Sequence, residues 1–167
     1  MIKITPGGIQ SLFATGFSAI NTSGLAFDLS GNLFVSSVGG NTIGDGVIDK
    51  VTPNGTVSTF VTGLSGPLDI ATNAAGELYE ADRNTQSIKK ISARGAVSTF
   101  ATGLYNAHGL AFAPDGTLYV TQGANRLQKV SPAGVVSFFG PRMDSANFIA
   151  VQTVKGHRRL TGASRRR

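Results

Sequence analysis

Residues 54–67 read NGTVSTFVTGLSGP, and residues 94–107 read RGAVSTFATGLYNA. A pattern that returns after about forty residues constrains the fold more than composition does. Each copy must be one supersecondary unit that buries its apolar face against the next. Three rows can be written down: GLAFDLSGNLFVSSVGGNTIGDGVIDKVTPNGTVSTFVTG at 24–63, PLDIATNAAGELYEADRNTQSIKKISARGAVSTFATG at 67–103, and GLAFAPDGTLYVTQGANRLQKVSPAGVVSFFG at 109–140. Aligned on their leucines, the rows make Leu25, Leu68 and Leu110 equivalent, at spacings of 43 and 42.

Every row holds four short apolar runs. The first is of the GLAF kind, the second NLFV, ELYE or TLYV, the third VIDKV, SIKKI or RLQKV, and the fourth TVSTF, AVSTF or VVSFF. Runs this short, rich in Val, Ile, Phe and Tyr, read as strands rather than helices. The separators DLSGN, TPNGT, SARGA, APDGT and SPAGV supply the residues that tight hairpin turns demand. Four antiparallel strands per forty residues make one blade of a β-propeller, so the fold class expected is all-β.

The segments GLAFDLSGNLFV and GLAFAPDGTLYV, with the turns IDKVTPNG and LQKVSPAG, resemble the NHL-type repeat. They also resemble its bacterial relatives, the virginiamycin B lyase-like and SMP-30/gluconolactonase-like propellers. The resemblance covers roughly residues 2–153 and implies a propeller fold, an extracytoplasmic location and a ligand site at one mouth of the central channel. Its metal-dependent members would imply a divalent cation, calcium or magnesium.

Both ends read as partial blades, so an incomplete ring is expected within these residues. Residues 2–16, IKITPGGIQSLFATG, match the outer two strands of a row whose first half is missing. Residues 147–153, opening with NFIAV, fall where the inner strand of a further blade belongs. About three and a half blades within 1–154 leave exposed strand edges, which proteins ordinarily avoid. Two explanations follow: a fragment of a longer propeller, or a homodimer whose two copies complete one ring. Related secreted propellers end in a Pro-Glu-Pro motif, an apolar span and an arginine cluster, and only the terminal RRR is present in this chain.

The net charge of +6 belongs to the tail. Residues 155–167 carry six of the 15 Lys and Arg and no acid, while the remainder is balanced by nine Asp and Glu. A basic, disordered tail is expected there, and nucleic-acid binding by the blades is not. No run approaches the length of a membrane span. Without cysteine, neither a disulfide nor a thiolate zinc site can form.

Two classes of loop should share one face of the ring: 18–23, 64–66 and 104–108 before the inner strands, and 37–46, 81–86 and 122–126 between second and third strands. The ligand-site candidates they and their strands supply are Asn41, Asp69, Glu80, Arg83, Asn84, Asn106 and His108. His108, the only histidine before the tail, could act as a base or ligand, but no second His or Cys lies at zinc spacing. Asp69 and Glu80 stand where the other rows have Ala26 and Ala111, and Val35 or Ser36 and Val120. Two carboxylates on adjacent strands of a hairpin could pair for acid–base or cation chemistry, or bridge to Arg83, Lys89 or Lys90. Asp28 coincides with a metal-binding acid of the SMP-30-like lactonases, but Ala113 stands there in the third row, and ordinary turn chemistry also suits it.

The function expected is a non-catalytic scaffold binding a protein, glycan or small molecule. The alternative is a metal-dependent lactonase- or lyase-like enzyme, with the metal among Asp28, Asp69, Glu80, Asn41 and Asn84.

Overall fold

The computed structural model describes residues 1–19, 21–40, 43–123, 126–140 and 149–151. Fourteen strands are present among them, and no helix. β1 (Ile2–Ile4) and β2 (Gln10–Leu12) form a two-stranded hairpin. Blade one follows as β3 (Thr22–Phe27), β4 (Leu33–Ser37), β5 (Gly46–Val51) and β6 (Val57–Leu64). Blade two is β7 (Pro67–Thr72), β8 (Leu78–Asp82), β9 (Ser87–Ile91) and β10 (Val97–Thr102). Blade three is β11 (Ala107–Phe112), β12 (Leu118–Gln122), β13 (Arg126–Val130) and β14 (Val136–Phe138). Each blade is an antiparallel meander in sequence order, so the expected strand plan is present.

The seams between blades hold the core. Alternation along each second strand sends one set of side chains backward and the other forward. Phe34, Ile48 and Val61 of blade one meet Ile70, Leu78 and Ile91 of blade two. Tyr79, Ala81 and Ile88 of blade two meet Leu110, Leu118, Val120 and Val130 of blade three. Leu33, Val35 and Val51 lean back on Phe13 and Ala14 of the hairpin. Each full blade also sets an aromatic of its second strand against a phenylalanine in or just after its fourth: Phe34 and Phe60 at 5.0 Å, Tyr79 and Phe100 at 5.0 Å, and Tyr119 and Phe139 at 4.9 Å. The turns make the tight stacking feasible. Gly55 sits at φ 89°, and a Cβ there would run into the Phe13 carbonyl of the preceding hairpin.

The register corrects the sequence alignment in blade two. Glu80 lies opposite Ile70, as Val35 lies opposite Leu25 and Val120 opposite Leu110. The equivalent residues are therefore Leu25, Ile70 and Leu110, at spacings of 45 and 40. Each inner strand carries the same irregularity just before this residue, so Leu68 lies level with Ser23 and His108 inside the bulge. Asp69 thereby takes the place of Gly24 and Gly109, not of Ala26 and Ala111. The inner strand expected over 147–153 and the basic tail lie outside the described residues, except for 149–151, which carry no strand.

Among the described residues, no helix is long and apolar enough to cross a membrane.

Candidate functional site

One rim of the blades gathers the loops that the sequence pairs. In each blade the residue after the second strand donates its amide to a carbonyl just before the inner strand: Val38 to Asn21 at 3.2 Å, Arg83 to Gly66 at 3.1 Å, and Gly123 to Asn106 at 2.9 Å. Both loop classes therefore open on the same side. Asn21 and Asn106 adopt positive φ, 63° and 50°, where asparagine is among the few tolerated residues.

Asn84 and Asn106 are used by the backbone. The Asn84 amide donates to the Ser65 carbonyl and occupies the space that a side chain at Gly66 would need. Asn106 fills the corresponding space at Gly123. Asn21, which the sequence reading passed over, donates to the Gly39 carbonyl at 3.2 Å. Its signal was its place beside the turn: a small amide ahead of an inner strand. Asn41 lies outside the described residues.

Asp69 and Glu80 do not face each other as a pair. Asp69 lies in the bulge of β7, where one carboxylate oxygen accepts the Ile70 amide at 3.0 Å and the other accepts the Leu110 amide of blade three at 2.8 Å. Burial raises its pKa, with the two amides pulling the other way. Glu80 is fully buried on the face of blade two that meets blade one, and neither carboxylate oxygen has a hydrogen-bond partner. Its pKa stands well above the ordinary carboxyl value because burial disfavours the charge and Asp82 repels it, with Lys89 opposing. The one ion pair among the described residues joins Lys90 to Glu77, at 2.8 Å, so neither candidate acid is bridged by Arg83, Lys89 or Lys90.

Asp28 is a turn residue. Its carboxylate accepts from the Ser30 and Asn32 amides at 2.9 and 2.8 Å, and from the Asn32 side chain at 2.7 Å. Among the described residues no group of three or more His, Cys, Asp or Glu could hold a metal ion. Calcium takes about six to eight oxygen ligands, and the carboxylates here are spent on amides or sealed in a seam. The described residues therefore do not fit a divalent centre.

What remains at the rim is cationic and basic. His108 sits half-buried in the bulge of β11, and Arg83 is exposed at the end of β8 in the neighbouring blade. Burial lowers the His108 pKa and the Arg83 charge lowers it further, so the imidazole is neutral near pH 7. On its other side Arg83 borders a cleft of about 310 Å³ with Asn21, Val38, Gly40, Ile43, Ser65 and Asn84. A neutral imidazole can accept a proton, and a guanidinium can hold the negative charge that develops on a substrate.

No family model and no curated protein sequence matches the chain. Solved structures do. A streptogramin B lyase superposes with a TM-score of 0.70 at 17% identity, over 91% of this chain and 52% of that one. The virginiamycin B lyase of Staphylococcus aureus, as a catalytically inactive histidine-to-alanine variant with quinupristin, gives 0.67 at 18%, over 87% and 49%. A calcium-binding regucalcin of Agrobacterium tumefaciens gives 0.65 at 20%, over 80% and 50%. At these identities the likeness establishes the fold: an incomplete β-propeller, similar to lyase- and lactonase-type propellers. The chain spans about half the length of each.

Proposed function

We propose that the chain is the ligand-bearing part of a lyase- or lactonase-type propeller, with chemistry at the rim between blades two and three. The observation that carries this reading is that the β11 bulge and the end of β8 place His108 and Arg83 at one rim of adjoining blades, where the Arg83 charge acts on the imidazole. A lyase must remove a proton from carbon and a lactonase must remove one from water, and both build negative charge on an acyl oxygen. A neutral His108 suits the first need, and Arg83 the second. The streptogramin B and virginiamycin B lyase neighbours support the same reading.

The test is ring opening of quinupristin and of a simple sugar lactone by the full chain, followed by mass spectrometry against pH. Turnover should rise as His108 loses its proton and vanish in His108→Ala, whose melting temperature should be unchanged. Turnover that survives His108→Ala refutes the assignment.

A second reading keeps the binding and drops the chemistry. It is favoured by Asp28 and Asp69, whose carboxylates are committed to backbone amides and leave no metal-assisted route among the described residues. On that reading the rim binds a small molecule, glycan or protein segment, and His108→Ala weakens binding without any turnover to lose.

A further inference from the structure

The first blade position is half empty, and the structure shows what fills such a place. Leu25, Ile70 and Leu110 are equivalent, yet Leu25 is 58% exposed whereas Ile70 is 2% and Leu110 5%. The latter two are covered by the first and second strands of the blade before them. Before β3 there is only the β1–β2 hairpin, which corresponds to third and fourth strands. The free edge of β1 and the bare face of β3 enclose an apolar groove of about 380 Å³, with Met1, Ile2, Phe13, Leu25, Phe27 and Leu33 in its walls.

Phe13 identifies the missing element. It corresponds to Phe60, Phe100 and Phe139, each of which stacks on an aromatic from the second strand of its own blade. Lys3 lies over the Phe13 ring at 6.0 Å, whereas its equivalents Lys50 and Lys90 lie over the second-strand aromatics Phe34 and Tyr79, and Lys129 lies over Phe139. Among the described residues no second ring stacks on Phe13. The seat is built and its aromatic occupant is missing.

We infer that this groove docks an antiparallel β-hairpin of the chain's own inner type, whose second strand adds to the edge of β1 and delivers a Tyr or Phe against Phe13. The hairpin comes from a further propeller segment and not from a second copy. In this sequence the three runs of the NLFV, ELYE and TLYV kind are already built into blades, and the only aromatic after residue 140 is Phe148, in a stretch that reads as an inner strand. Strand addition supplies the backbone hydrogen bonds, and the aromatic seat supplies selectivity. This surface is independent of the chemistry proposed at the opposite seam.

The probe is the chain's own hairpin. A synthetic peptide of residues 107–122 is titrated into the full chain while the methyl signals of Met1, Leu25 and Leu33 are followed by NMR. Saturable shifts at these methyls are expected, with affinity falling about tenfold when the peptide carries Tyr119→Ser, the loss expected of one aromatic stack. Because an isolated hairpin is marginally stable, the same segment is also placed ahead of Met1 through a short loop. That fusion should melt several degrees higher than the parent, and the gain should vanish with Tyr119→Ser in the added copy. No shift and no gain overturns the inference, as does a gain indifferent to the aromatic. Self-association of the chain that Phe13→Ala abolishes would assign the groove to a second copy and overturn it equally.

Discussion

The carboxylate of Asp69 accepts the amide of Leu110 at 2.8 Å, across the seam from blade two to blade three. In the other blades a hydroxyl works nearby: Ser36 accepts the Gly24 amide at 2.8 Å, and Thr121 the Gly109 amide at 2.8 Å. Blade two has Ala81 at that position. Its inner strand is tied instead by its own aspartate, which reaches both the local bulge and the next blade.

Removing that tie should be costly and local. Asp69→Ala leaves two buried amides without acceptors, and the expected loss is about 1–3 kcal/mol. Asp69→Asn should lose less, since the amide oxygen still accepts. Urea denaturation of the two variants beside the parent checks the order, and equal stability of all three would contradict the role given to Asp69.

Glu80 makes the opposite prediction. Its folded pKa is raised, chiefly by burial and then by Asp82, so the protonated form favours the fold. This stabilisation is fully present below the ordinary carboxyl pKa and is lost as pH rises toward and through the folded value. Glu80→Gln should therefore melt close to the parent at acid pH and above it at alkaline pH. Glu80→Val, the residue of the two equivalent positions, should gain about 1–3 kcal/mol near neutrality by removing an unpartnered buried carboxyl. Melting curves from pH 4 to pH 9 decide it, and a gap that narrows with rising pH is the contrary result.

Gly24 makes the seam between blades one and two close-fitting. A Cβ there would lie 2.8 Å from the Asp69 Cα, the Ile70 nitrogen and the Leu68 oxygen, all backbone atoms. Gly24→Ala should cost about 1–3 kcal/mol as an overpacked contact. Hydrogen exchange should locate the loosening in β3 and β7 and leave β12 unaffected.

The rim can be tested without a ligand. The Arg83 charge lowers the His108 pKa after burial has done so. Arg83→Gln should raise that pKa, read directly from the imidazole signals of His108 in a pH titration. An unchanged value would show that the two side chains do not share a site.

The strand plan and turns were legible because they rest on local chemistry: period-two apolar runs and Gly-bearing separators recur whatever the neighbours do. The register of blade two was not, since aligning Leu68 with Leu25 and Leu110 follows residue type, whereas the strand pairing sets Ile70 level with them. The leucine alignment gave Asp69 the wrong equivalents, Ala26 and Ala111, and left its register against Glu80 open. Arg83 and His108 were visible as residues, but their sharing one rim depends on two blades being neighbours. Asp49 was missed entirely: buried, it accepts the Ser18 amide at 2.8 Å and the Ser18 hydroxyl at 2.6 Å, a tie between segments 31 residues apart that no local pattern announces. The empty seat at Phe13 became visible only when equivalent positions could be compared for exposure.

The most direct test of the proposed rim site is a residue-by-residue map of quinupristin binding to the full chain by backbone and imidazole NMR. Saturable shifts clustered on His108, Arg83 and the cleft of Asn21, Ser65 and Asn84, and lost in His108→Ala, are the predicted result. Saturable shifts elsewhere on the blades, or none, would contradict the account.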